Sequence, residues 1–378
     1  MSKPNSSAWS FRIKAPGTTE LLLLATLVAF FVVLAALASP AHANTLKVTN
    51  NQNSGPGSFR RAINNAAPRG DTIIFATDVS GTITLAGELY IDKNLTIKGP
   101  GAGKLAVSGN NRSRVFFIDF AGDVRISGLT ITKGNDSGNF GEGGGIDNDG
   151  TLRLVKTTVR GNTAHKKGGG IFNDGTLTVG RSTMSSNEAT TFGGAIYSFT
   201  ELPGDGLLKA TITNTTVSGN FVTSATGAGG GIYNEEGLTE IQNSTITNNR
   251  APENQGSGVA NDEGSFVDVT TRVFSTIMAD NPGGFGSARD FVSNGYNLIG
   301  SGDTSVANRF NKTGDQVAIS DPRLGSLADN GGPTWTHALL SGSPAIDRGS
   351  PNCPPPATDQ RGAKRPKGVR CDIGSFEF

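Results

Sequence analysis

Between Gly143 and Asn249 one pattern of hydrophobic and polar positions recurs four times. Each copy opens on Gly-Gly-Gly-Ile or a close variant and passes a polar turn. It then alternates through one strand and ends in a Thr- or Ser-rich strand closed by Asn. The copies are 143–162, 168–187, 193–220 and 229–249, with a weaker one at Ser257-Gly258-Val259 and Ser275-Thr276-Ile277. Ile146, Ile171 and Ile196 are 25 residues apart, Ile232 follows after 36, and Val259 after 27. The longer step reflects an insertion around Glu201–Leu207. Period-two alternation, as in Thr176-Leu177-Thr178-Val179, marks strands. Three residues before each closing Asn stand Val159, Met184, Val217 and Ile246, and eight before stand Leu154, Val179, Ile212 and Ile241. Columns of this kind are expected where equivalent residues of stacked coils point inward. No copy could bury its apolar face alone. Short strands in coils of about 25 residues therefore predict an all-β fold, a parallel β-helix. Right-handed winding follows from the rule for parallel crossovers. The consensus of a leucine-rich repeat is absent, as are the long blades and aromatic signatures of a propeller.

The flanks divide the rest of the chain. Residues 71–133 carry strand-like runs such as Thr72-Ile73-Ile74-Phe75 and Leu95-Thr96-Ile97, read as earlier, looser coils. The coil region is placed at 71–284. An open end of such a helix is an exposed sheet edge and needs cover. Residues 45–70 supply a cap, with Ser58 starting a short helix that sets Phe59, Ala62, Ile63 and Ala66 on one face. Residues 285–378 are expected to close the other end. Ahead of all this, a basic leader precedes the uncharged run 21–38 and the sequence Ser39-Pro40-Ala41-His42-Ala43. Residues 1–43 thus read as a signal peptide cut after Ala43, or as a retained membrane anchor. Both readings export the chain, to the cell surface or the extracellular space. Any membrane contact would run through residues 21–38.

Composition narrows the function classes. Glycine accounts for 53 of 378 residues, while charged residues are only 17%. That excludes a coiled coil or helical bundle. The chain carries 33 basic and 32 acidic residues, and without residues 1–43 the figures are 30 and 31. Such a balance argues against nucleic acid as the main partner, which would need a basic surface. Three histidines and two cysteines exclude a four-cysteine metal site. No catalytic residue or resident metal is assigned.

Candidate chemistry lies in the turn after each repeated Ile. Its second residue is Asn148, Asn173, Ser198, Asn234 or Asn261, which reads as a structural amide ladder or plain turn chemistry. Its third is Asp149, Asp174, Phe199, Glu235 or Asp262. Stacked like charges repel. Asp149, Asp174, Glu235 and Asp262 are therefore the candidate ligand-binding residues, able to meet Ca²⁺ or a sugar, or as a carboxylate pair to hydrolyse a glycoside. Solvated turn carboxylates remain the plainer alternative. A lyase would need a basic side chain beside a neutralised uronate. Arg153, Lys156, Arg160, Arg181 and Lys209 form no column. His165 reads as a solvated loop residue and His337 as a packed or hydrogen-bonded one. Asp347, Asp359, Arg361, Arg365 and Asp372 crowd the two cysteines and are expected to form a structural ion-pair network. In an oxidising compartment Cys353 and Cys371, with 17 residues between them, are expected to form a disulfide that stabilises the C-terminal cap.

Two regions resemble a known family. Ser54-Gly55-Pro56-Gly57-Ser58-Phe59-Arg60, Gly70-Asp71-Thr72-Ile73 and Asn94-Leu95-Thr96-Ile97-Lys98-Gly99-Pro100-Gly101 resemble the start of secreted bacterial right-handed β-helix proteins. Toward the C-terminus, Gly295-Tyr296-Asn297-Leu298-Ile299-Gly300, Asp321-Pro322-Arg323-Leu324-Gly325, Gly342-Ser343-Pro344-Ala345-Ile346-Asp347, Thr358-Asp359-Gln360-Arg361-Gly362 and Cys371-Asp372-Ile373-Gly374-Ser375-Phe376-Glu377 look like a choice-of-anchor Q domain. The resemblance implies a pectate-lyase-like β-helix outside the cell or on its surface. In that family further anchors follow the domain. Here the chain stops at Phe378, so attachment is expected to depend on residues 21–38. The resemblance carries over no catalytic residue. The expected function is a non-enzymatic scaffold for polysaccharide or another cell-surface macromolecule. Its rival is a polysaccharide lyase, hydrolase or epimerase acting on acidic polysaccharide.

Overall fold

The computed structural model describes residues 43–378 except 137, 139, 200–207, 254, 263–268, 284–289, 302–307 and 354, and the side chains of 208 and 209. The leader and its cleavage site lie outside the described residues.

The coils stack as a right-handed parallel β-helix with three main sheets. Sheet A runs from Thr45–Val48 to Phe291–Ser293, sheet B from Gly81–Thr84 to Gln316–Ile319, and sheet C from Leu89–Ile91 to Val259–Asn261. Within one coil the chain passes from sheet C to A to B. Two-residue strands such as Thr163–Ala164 then form a short fourth sheet. The expected register holds: Ile146 pairs with Ile171 and Ile171 with Ile196, Leu154 with Val179 and Val179 with Ile212, Val159 with Met184 and Met184 with Val217. Every one of these side chains is buried in one continuous core.

The glycine runs have a steric cause. Gly168 has φ +67°, and a Cβ there would come within 2.5 Å of the Ile171 carbonyl. Gly169 sits where its Cβ would meet the backbone of the next coil at 2.2 Å. Only glycine lets neighbouring coils touch main chain to main chain at this corner.

The closing asparagines form a buried ladder. Asn162 Nδ2 donates to Asn187 Oδ1 at 2.9 Å, Asn187 to Asn220 at 2.8 Å, Asn220 to Asn249 at 2.8 Å and Asn249 to Asn281 at 3.1 Å. Each amide also serves backbone groups of its neighbours, so the turn buries no unpaired polar atom there. The ladder expected one corner earlier is present in part. Asn148 Nδ2 donates to Asn173 Oδ1 at 2.7 Å, and Asn173 Nδ2 to Ser198 Oγ at 3.3 Å.

At the N-terminal end Thr45–Val48 joins sheet A, and the helix Phe59–Asn65 packs Phe59, Ala62 and Ile63 onto the first coils. Ser58 caps that helix by accepting the Arg61 N–H. At the other end the ladder runs past residue 284 as far as Ile319, and Phe310 packs near Phe291 in the last of the core.

Beyond Pro322 the chain doubles back. The antiparallel pair Leu324–Ala328 and Thr336–Leu339 begins an arm that lies along the outer face of sheet B. Leu339, Ala345, Ile373 and Phe376 bury the outward side chains of Ile277, Ala279 and Leu298. Polar anchors fix the arm to the hydroxyl columns of the sheet. Gln360 Oε1 accepts from Thr216 Oγ1 at 2.7 Å, the Ser375 N–H donates to Thr245 Oγ1 at 3.1 Å, and His337 Nε2 lies 2.8 Å from Ser218 Oγ. Cys353 and Cys371 are joined as a disulfide. Arg361 pairs with Asp359 at 2.7 Å, and buried Arg365 lies 3.5 Å from Glu377. The C-terminal cap thus also covers one side of the solenoid.

Candidate functional site

The residue directly after each repeated Ile points outward from sheet C. Parallel register stacks Tyr90, Phe117, Asp147, Phe172, Tyr197, Tyr233 and Ala260 in one column. Most members are aromatic because a flat ring repeats well at strand spacing. Tyr90 and Phe117 stack with centroids 5.5 Å apart, Phe172 and Tyr197 at 5.1 Å, Tyr197 and Tyr233 at 5.8 Å. Asp147 is the one carboxylate in the row.

The two ends of this column differ. From Phe172 onward, the stacked turns bearing Glu142, Lys167, Phe192 and Ala228 fold over the rings, and Phe172, Tyr197 and Tyr233 are buried. Lys167 crosses the column. Its Nζ lies 4.4 Å above the Tyr197 ring and 3.3 Å from Glu235 Oε2. Toward the N-terminus no such roof covers the rings among the described residues. Tyr90 is 48% exposed and Phe117 half-buried, with exposed Phe120 close by in sequence.

Between the halves sits Arg114. Its guanidinium lies 2.8 Å from Asp147, 2.9 Å from Asp136 and 3.5 Å from Glu88, and it donates to the Glu142 and Gly143 carbonyls. The group also lies 5.5 Å from the Phe117 ring centroid. Burial pushes the Asp147 carboxyl up to about 7, against the pull of Arg114 and with help from Asp149, Glu142 and Asp136. One of its oxygens, Oδ1, has no hydrogen-bond partner among the described residues. Burial likewise raises Glu142 and Glu235, in both cases against Lys167. One arginine paired with three carboxylates leaves this patch acidic.

The four expected ligand-binding carboxylates lie beside this column, on the far side from the roof. Asp149, Asp174, Glu235 and Asp262 are half-buried and occupy equivalent turn positions, interrupted by Phe199. Glu235 is held by Lys167, and Asp262 Oδ1 accepts the Tyr233 hydroxyl at 2.9 Å. Among the described residues no group of three or more acidic, His or Cys side chains is arranged to hold a metal ion. His165 is exposed, as expected. Arg114, Asp147 and Lys167 were not expected from the sequence. The available signal was the break in the column: the position after Ile is aromatic in three copies and Asp only at 147.

Comparison with known proteins gives a family match over part of the coils. Residues 156–174 and 181–198 match the Chlamydia polymorphic membrane protein repeat. No curated protein matches the chain. Among solved structures it is similar to pectate lyase Pel9A, at 14% identity and TM-score 0.49, over 89% of this chain and 97% of that one. It is also similar to jun a 1, the major allergen from cedar pollen, at 16% identity and TM-score 0.42, over 74% and 78%.

Proposed function

We propose that the protein is an exported β-helix scaffold that binds a neutral polysaccharide along the outer face of sheet C. The observation that carries this reading is the open Tyr90–Phe117 ring pair beside Arg114. Stacked rings with an edge of fixed polar groups are suited to the flat faces and hydroxyls of a sugar. The acidic surround disfavours a polyanion there. Half-buried Asp149 and Asp174 extend the polar edge, and Glu235 and Asp262 continue it beside the roofed rings. The repeat shared with Chlamydia polymorphic membrane proteins supports a surface location, and the C-terminal motifs support a choice-of-anchor Q region. A disulfide supports an oxidising compartment.

A specific observation favours a second reading. A carboxyl raised to about 7, with one oxygen lacking a hydrogen-bond partner among the described residues, is suited to a general acid, and Asp136 is on the same arginine. Two carboxyls so placed are what a glycoside hydrolase would use. A lyase is less well served, because its base must be a Lys or Arg side chain that has given up its proton. Arg114 and Lys167 are both committed to carboxylates.

One experiment separates the readings. Neutral and acidic polysaccharides are incubated with the protein, and both retention and new reducing or unsaturated ends are measured. The scaffold reading expects retention of a neutral polymer, weakened about tenfold in Tyr90→Ala, with no new ends. New reducing ends that disappear in Asp147→Asn would replace it with the hydrolase.

A further inference from the structure

We infer that a groove on the outer face of sheet B, walled by the returning arm, is a second binding site and takes an acidic glycan. The groove has a volume of about 470 Å³. It lies where the arm stops covering the sheet. Its floor is one outward column, Thr82, Ala106, Thr130 and Thr158, paired in parallel register across consecutive coils. A polymer lying along the solenoid axis would meet an equivalent position about every 4.8 Å.

The wall is the segment from Asp329 to Trp335. Trp335 is 48% exposed. Its indole makes no hydrogen bond or ring contact among the described residues. What holds the residue is its main chain: the Trp335 carbonyl accepts from Gln360 Nε2 at 2.9 Å and from Thr183 Oγ1. Thr334 beside it donates to the Arg181 carbonyl at 3.1 Å. The backbone is thus pinned while a large, half-exposed ring is left at the rim with no hydrogen bond or ring contact among the described residues. A ring placed that way is pre-organised for a ligand face, because little ordering remains to be done on binding.

Charge selects the class of ligand. Lys104 and Arg160 line the groove, both exposed, and neither has an ion-pair partner among the described residues. The one acid, Asp329, accepts from the Gly331 N–H in its own loop at 3.1 Å. An aromatic rim, a floor bearing threonine hydroxyls and two uncommitted cations fit a sugar chain bearing carboxylate or sulfate groups. On the sheet C face, by contrast, Arg114 and Lys167 are both paired with carboxylates.

The test uses a property of the sequence. Trp9 and Trp335 are the only tryptophans. In the full chain carrying Trp9→Phe, all tryptophan emission comes from the groove. A chondroitin sulfate hexasaccharide is titrated in, with cellohexaose and inorganic sulfate as comparison probes. The expected result is a saturable shift of emission with the acidic hexasaccharide alone. Arg160→Ala, which removes no side-chain hydrogen bond or ion pair among the described residues, should weaken it about tenfold. Calorimetry with Trp335→Ala should show the same loss, while Tyr90→Ala on sheet C leaves it unchanged. No shift, or heat that survives Trp335→Ala, overturns the site. An equal shift with sulfate reduces it to a simple anion site, and an equal shift with cellohexaose overturns the selection by charge. Because Tyr90→Ala is silent here, failure of the sheet C reading and failure of this one are told apart.

Discussion

Sheets B and C belong to the same coils, yet their outer faces are covered by different means. Face C is roofed locally. Each coil's own glycine corner carries Lys167, Phe192 or Ala228 back over the ring beside it. Face B is covered from far away in sequence, by an arm whose Gln360 reaches Thr183 and Thr216 and whose Ser375 reaches Thr245. The coil interior is the same in both cases. A solenoid therefore separates two problems: the inward columns must repeat, while the outward columns are free to vary. The two proposed sites lie at Asp147, where an outward column breaks its own pattern, and beside the first turn of the arm on the other face.

The first prediction concerns what the two faces share. Val179 is fully buried at the centre of the core, so Val179→Asp places an unpaired charge there. A loss of more than about 4 kcal/mol is expected, melting both faces together. Thr178 points outward between Arg153 and Thr211 in the ladder. Thr178→Asp should stay within about 0.5 kcal/mol of the parent. Thermal unfolding of the pair checks this, and equal shifts would mean the register is wrong by one residue. Next comes the corner between sheet B and the fourth sheet. Asn187→Ala removes at once the acceptor of the Asn162 side chain and main-chain N–H and the donor to Asn220 Oδ1 and the Val159 carbonyl. A loss of about 3 kcal/mol is expected, measured by denaturant titration. The nearby but exposed Ser186 is the control.

The third prediction separates the faces. The Cys353–Cys371 disulfide closes a loop within the arm, for which chain entropy alone gives about 3 kcal/mol. Cys353→Ser should therefore loosen face B and leave face C intact. Hydrogen exchange is expected to rise over 324–378 and stay low over 143–173. A uniform rise along the coils would mean that the arm supports the whole solenoid rather than one side of it.

The same division explains what could be read from the sequence. The coils, their inward columns and the first amide ladder follow from a period of 25 residues and from apolar positions recurring within it. Local roofing is implicit in that period, because Gly168 and Gly193 repeat with it. The second ladder stood in view at Asn162, Asn187, Asn220 and Asn249, yet those residues served only to mark where each copy ends. The arm was not legible. Its contacts join residues more than a hundred positions apart, such as Ser218 and His337, and no periodicity links them. The Arg114 cluster was missed for a related reason: Arg114 lies in the looser early coils, and its partners Glu88, Asp136 and Asp147 come from three different coils.

The smallest effect expected is also the most discriminating, because each face holds a buried group, His337 on B and Asp147 on C, that titrates against the other's trend. On face B, burial lowers the pKa of His337 below 6.5, opposed by its bond to the Gly325 carbonyl. The carbonyl can only accept, so Nδ1 donates to it at 2.7 Å, and Nε2 accepts from Ser218. The docked imidazole is neutral. A released arm would take up a proton near pH 6.5, so the released state binds more protons just below that pH, and docking weakens as pH falls. On face C the sign reverses. Asp147 is raised from 3.8 to about 7. Between those values the folded chain holds the proton and the unfolded chain does not, so this contribution to stability fades as pH rises toward 7. Each group changes stability by at most about 1.4 kcal/mol per pH unit within its window. Burial also raises Asp372 and Glu377 in the arm, in the same sense as Asp147. The comparison must therefore be made by difference. Hydrogen exchange from pH 7 to 5 is recorded for the parent, His337→Gln and Asp147→Asn. Glutamine keeps a donor and an acceptor, and removes the acid-linked loosening of 324–378. Asparagine abolishes the pH dependence of protection at 146–148. If His337→Gln leaves the arm's pH response unchanged, the histidine does not set it. If Asp147→Asn flattens both segments, the two faces are coupled through the core and not independently closed.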